Sequence, residues 1–169
     1  MSQSRRIIGL FIVIALMLSA FVFNTSAEAS GTVLTHATAA SRLSAAGITW
    51  TSSGNCSNRN ISTCTSFDGI YSGTIDGIIT LRNASGCAIN VTGGTEIGHA
   101  TTGTSPAPSY ATHGNGYKID TSFGSGCIEN YIRANFTQIA SRSNGDPQWQ
   151  SAAGNIYAKE STHWDIYYR

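Results

Sequence analysis

The chain predicts an α+β domain, a small antiparallel sheet with helices packed on one side of it. Apolar residues recur at helical intervals in separate stretches, whereas period-two alternation marks residues 116–123 and the C-terminal segment. Glycine-rich breaks separate these patterns.

The N-terminus opens with Arg5-Arg6, an apolar run from Ile7 to Phe23, and small residues ending at Ala27-Glu28-Ala29. That is the three-part layout of a secretory signal, so residues 1–29 read as a signal peptide and 30–169 as a single mature domain. Thr35 caps a first helix running to Ala46, with Ala39, Leu43 and Ala46 as its buried stripe and Gly47 as its stop. A turn-rich loop follows. The second helix is expected from Ile75 to Ala84, capped by Thr74 and ended by Gly86, because Ile75, Ile78, Ile79 and Leu81 recur at roughly helical spacing. Cys87 to Thr92 alternates as a strand, Gly93-Gly94 breaks it, and Thr101 to Ser109 reads as a surface loop.

From Gly116 to Phe123 the alternation places Tyr117, Ile119 and Phe123 on one face and Lys118, Asp120 and Ser122 on the other. A third helix is expected from Cys127 to Ala140, with Ile128, Tyr131, Ile132 and Ile139 inward. Two closing strands, Asn155–Lys159 and His163–Tyr168, put Trp164, Ile166 and Tyr168 in the core and turn His163 and Asp165 to the opposite side. Strand order is not fixed by these patterns.

Removing residues 1–29 takes away Arg5, Arg6 and Glu28, leaving eight basic and eight acidic residues in the mature part. A formally neutral domain lacks the concentrated positive charge that nucleic acid or an anionic membrane surface requires. No stable membrane association is expected after signal removal, and the protein is expected to be a secreted or wall-associated monomer. Cys56, Cys64, Cys87 and Cys127 form an even set in an exported chain, which reads as two disulfides. Of the three pairings, Cys56 with Cys64 and Cys87 with Cys127 are favoured: the first closes a small polar loop, the second ties a strand start to a helix start. With all four cysteines paired, no thiol nucleophile is left, and no Gly-x-Ser-x-Gly elbow is present for a serine mechanism.

The chemistry-bearing residues are His113, Asp120, Glu160 and His163. Two imidazoles and a carboxylate are the donor set of a catalytic Zn2+ site that keeps a position open, and Glu160, three residues before His163, is placed to move a proton. Each half of this pattern is common alone. Their conjunction is informative because the chain has only four histidines, and two of them fall in the ligand positions.

In order and spacing, His113, Gly116, Asp120, Glu160, His163 and Trp164 resemble the zinc peptidase superfamily of D-alanyl-D-alanine carboxypeptidases, L-alanyl-D-glutamate endolysins and hedgehog signalling domains. The similarity is strongest to its peptidoglycan-peptidase branch and spans Cys64 to the C-terminus. The resemblance implies that His113, Asp120 and His163 bind zinc, that Glu160 is the general base, and that Gly116 permits the turn bringing His113 and Asp120 together. It also implies a hedgehog/D-Ala-D-Ala peptidase-like fold, with peptidoglycan stem peptides as substrate. Asp165 is expected to accept a hydrogen from a ligand imidazole. Trp164 is expected to anchor His163 from the core, and His36 to sit on the surface or at a cap.

The chain departs from the pattern in having Ala111 where relatives often have Ser, Lys118 where they often have Ala, and no arginine between Gly93 and His99. His99 or Lys118 would then have to meet a substrate carboxylate. Without that contact a stem-peptide endopeptidase is as well supported as a carboxypeptidase. The rival class is a non-catalytic wall-binding module on the same scaffold, which the intact Glu160 disfavours.

Overall fold

The structure is a computed structural model and describes residues 31–169. The expected signal peptide lies outside them. Elements follow the order β1 (Val33–Leu34), α1 (His36–Ala45), β2 (Thr49–Trp50), β3 (Ile70–Tyr71), α2 (Ser72–Ser85), β4 (Asn90–Gly93) and β5 (Lys118–Ser122). They continue with α3 (Cys127–Asn135), β6 (Thr137–Ile139), β7 (Gln148–Gln150), β8 (Ile156–Lys159) and β9 (His163–Tyr167). The class is α+β, but the sheet is larger than the sequence suggested. Seven strands run in the order β2-β4-β5-β9-β8-β7-β6, and β1 pairs with β3 in a separate antiparallel ribbon. The large sheet is mixed, since β2 lies parallel to β4 while every other pair is antiparallel.

Thr35 caps α1 by accepting the Thr38 amide, and Ala39 and Leu43 are its buried residues. The second helix begins earlier than expected, at Ser72, with Tyr71 at the cap. Thr74 is not a cap: its hydroxyl is buried and donates to the Gly116 carbonyl at 2.8 Å, fastening α2 to the start of β5. Gly86 ends α2 in the left-handed conformation that the missing side chain allows. The third helix stops at Asn135 and not at Ala140. Phe136 is extended, and Thr137–Ile139 joins the sheet edge against β7, so Ile139 serves a strand and not a helix face.

Buried residues of all three helices meet Val91, Ile119, Trp149, Tyr157, Trp164 and Ile166 of the sheet in one cluster. Trp164 is the core residue expected, packed edge-on against Trp149 and Phe123. His36 is half-buried, accepts the Phe67 amide at 3.0 Å and stacks on the Phe67 ring, a structural role beyond surface or cap. The disulfides are Cys56–Cys64 and Cys87–Cys127. Two disulfides fit an extracellular protein. Among the described residues no helix is long and apolar enough to cross a membrane.

Central register positions the polar face. In the β5–β9 pair Ile119 faces Ile166 and Thr121 faces Trp164, so the alternate residues Asp120, opposite Asp165, and Ser122, opposite His163, point away from the helices. The segment between β4 and β5 covers this second face, where Ala107 and Ala111 pack with Ile156 and Tyr167.

Candidate metal centre

Asp120 is the point of convergence. Its carboxylate is 4 % exposed and is approached by three imidazoles: His113 Nε2 lies 3.2 Å from Oδ1, while His163 Nε2 and His99 Nδ1 lie 3.4 and 3.6 Å from Oδ2. The structure therefore brings His113, His163 and also His99 up to Asp120, but His163 does not join the compact His99, His113 and Asp120 group. Glu160 stands beside them, with Oε2 3.4 Å from His163 Nε2.

Local backbone explains how these groups meet. His113 lies in a turn closed by Gly116, whose amide donates to the His113 carbonyl at 2.8 Å and whose φ is +82°. A side chain at Gly116 would be strained and would press on the Gly69 carbonyl, its Cβ only 2.4 Å away. Gly93, at the end of β4, leaves the room that Asp120 occupies: a Cβ there would sit 2.6 Å from Oδ2.

Hydrogen bonds to the remote ring nitrogens set the tautomers of His113 and His99. His113 Nδ1 is 2.7 Å from the Gly94 carbonyl, which can only accept, so Nδ1 carries a hydrogen and Nε2 faces Asp120. His99 Nε2 meets the Glu96 carboxylate at 3.1 Å and so turns Nδ1 toward Asp120. Glu96 is itself 3 % exposed and accepts the amides of Ser66 and Gly94. Burial alone would raise its pKa, but the bond from His99 and these backbone donors hold it below the usual carboxylate range. His163 Nδ1 pairs with Thr162 Oγ1 at 3.0 Å.

Neutral imidazoles arranged this way aim lone pairs at a carboxylate, which is repulsive unless a proton or a metal cation lies between them. Burial disfavours charge on His113, yet Asp120 and Asp165 outweigh it and lift its pKa to about 10. A cation binding here must displace that proton. The buried Oδ1 atoms of Asp120 and Asp165 both face His113 Nε2, at 3.2 and 3.6 Å, so whatever sits on that nitrogen is shared with two carboxylates. By distance alone, His99, His113 and Asp120 form a group that could hold a metal ion, each offering a ligand atom within 4.8 Å of the others.

Asp165 lies on the Nε2 side of His113, 3.6 Å away, while the remote nitrogen uses the Gly94 carbonyl. Its other oxygen holds Lys118 Nζ at 2.7 Å and Arg142 Nη2 at 2.6 Å. Burial opposes ionisation of Asp165, but His113, Lys118 and Arg142 together keep it well below the ordinary range. Lys118 is buried at this carboxylate. Arg142 also pairs with Glu160. Neither Arg142 nor Glu96 was singled out from the sequence. Glu96 had a usable signal, as an acid inside a glycine-rich break three residues before a histidine, whereas Arg142 sits in a polar turn with no local mark.

Fold and site define a mixed α+β protein, disulfide-linked, with a buried histidine-carboxylate group able to take a metal ion. No family model, no curated protein and no solved structure matches the chain.

Proposed function

We propose that this protein is a secreted zinc-dependent peptidase that hydrolyses an amide bond in peptidoglycan peptides, with a hedgehog/D-Ala-D-Ala peptidase-like architecture. The observation that carries this reading is the approach of three imidazoles to Asp120 with a second carboxylate, Glu160, 3.4 Å from one of them. His113, Asp120 and His163 are the ligand set. Zinc, when bound, supplies a Lewis acid that polarises a carbonyl and makes water acidic enough to ionise near neutral pH. Glu160 takes the proton of the attacking water and returns it to the departing amine. For that step the Arg142–Glu160 pair has to open. Asp165, held by Lys118 and Arg142, stands 3.6 Å from His113 Nε2.

His163 is preferred to His99 as the third ligand on ring geometry. His99 and His113 lie face to face, with centroids 3.9 Å apart and planes 15° from parallel, whereas imidazoles on one tetrahedral ion splay outward from it. The close distances within the His99, His113 and Asp120 group favour the second reading, in which His99 is a ligand.

Digestion of purified peptidoglycan with and without chelator tests the function. Released D-alanine, or new amino termini, should appear only with metal present, and which product forms separates carboxypeptidase from endopeptidase. Binding to the wall polymer with no product at any metal concentration would instead identify a non-catalytic module.

A further inference from the structure

A cavity of about 530 Å³ adjoins the site, walled by the segment Gly103–Pro106 on one side and by Ile139–Ser143 with Gln148 on the other. Its volume is within the range of small-ligand pockets. Arg142 belongs both to this wall and to the site, since its two terminal nitrogens hold Glu160 and Asp165. Those carboxylates balance its charge, and Arg142 is the only charged residue of the lining, so the cavity offers little to a free anion. What it offers is hydrogen-bonding capacity. Arg142, whose side chain is 8 % exposed, has a buried Nε without a partner among the described residues, and Gln148, 1 % exposed, has a buried Oε1 in the same condition.

The orientation of the Gln148 amide is fixed by chemistry. Its Nε2 donates to the carbonyls of Ser105 and Ala140 at 3.3 and 3.0 Å, and a flipped amide would set oxygen against two oxygens. The wall therefore carries one unused N–H donor and one unused oxygen acceptor, the complement of a peptide group. Beside them stand Thr104, Ser105, Ala140, Ser141 and Ser143, which are small and uncharged.

We propose that this cavity is a peptide subsite, filled by the backbone of a short peptide with small uncharged side chains. A peptide carbonyl takes the Arg142 Nε hydrogen and a peptide N–H meets Gln148 Oε1. Both atoms are shielded in the present arrangement, so binding requires these two side chains to shift, and a shift of Arg142 away from Glu160 would also release that carboxylate. The link to Glu160 rests on the peptidase reading above, but the cavity can be tested without turnover.

The probe is N-acetyl-trialanine amide, titrated into the metal-free protein and followed by NMR. Expected are shifts confined to Thr104, Ile139, Ser141, the Gln148 side-chain amide and the Arg142 Nε–H, with affinity about tenfold weaker in Ser141→Trp, which fills the cavity from an exposed rim position. Ser143→Trp, also exposed, serves the same purpose if the first variant does not fold. Shifts absent up to the solubility limit of the peptide, shifts centred elsewhere, or binding of the free acid but not of the amide would overturn the proposal. Because no metal is present, loss of zinc-dependent hydrolysis would refute the peptidase reading and leave this result standing.

Discussion

On the proposed function Glu160 and His113 have separable roles, and substitution tells them apart. Glu160→Ala should keep full zinc stoichiometry while losing about 10²- to 10⁴-fold in turnover, the usual worth of a positioned proton carrier. His113→Ala and His163→Ala should lose metal, whereas His99→Ala should retain it. Metal analysis of the purified variants checks all four, and zinc lost from His99→Ala but kept in His163→Ala would exchange their roles. Asp165 has a different kind of importance. It is 6 % exposed and pairs with two cations, so Asp165→Asn strands Lys118 and leaves Arg142 with Glu160 alone in a poorly hydrated place. Removing one partner of such a buried cluster costs roughly 3–5 kcal/mol, to be read from urea unfolding of the metal-free protein. A loss below about 1 kcal/mol would mean that water reaches the cluster after all.

At the level of strands and helices, legibility followed length. The β5 and β9 patterns were readable because five alternating residues carry a period, and their register then fixed which side Asp120, His163 and Asp165 occupy. By contrast β1, β2 and β3 have two residues each, and β7 is Gln-Trp-Gln, a segment with a single apolar residue. Such strands exist because neighbours complete them, so no local period announces them. The same reason explains the overlong third helix: Ile139 falls near a helical interval from Ile132, but Thr137–Ile139 gains more by pairing with β7. The site was legible in His113, Asp120, Glu160 and His163, whose spacings marked residues that the structure brings together around Asp120. It was not legible in Glu96 and Arg142, whose roles depend on distant partners such as Ser66 and Asp165. The close packing of β4 on β5 yields its own test. Gly93→Ala drives a methyl into Asp120, so zinc affinity should fall sharply while circular dichroism stays native; unchanged affinity would show that β4 can yield at that point.

For the molecule as a whole, the end of the chain is closely packed, with Tyr168 against Gly77 of α2 and edge-on to Tyr157 of β8. Burial pushes Tyr157 up to about 12 and raises Tyr168 well above the ordinary tyrosine value. In the unfolded chain both ionise near pH 10, so between about 10 and 12 the folded state holds more protons and stability falls as pH rises. Below that window the stabilisation is complete. Thermal melts should therefore decline steeply across it, and Tyr157→Phe should flatten the decline; equal slopes in both proteins would place the alkaline transition elsewhere. The peptide unit joining Gly94 to Thr95 works at a finer grain, receiving the His113 Nδ1 hydrogen on its oxygen while its own N–H goes to the Ser66 carbonyl at 2.7 Å. Each link polarises the next. The imidazole is thereby barred from turning over, and it enters the centre as a more electron-rich base than a solvent-facing ring, always presenting the same nitrogen.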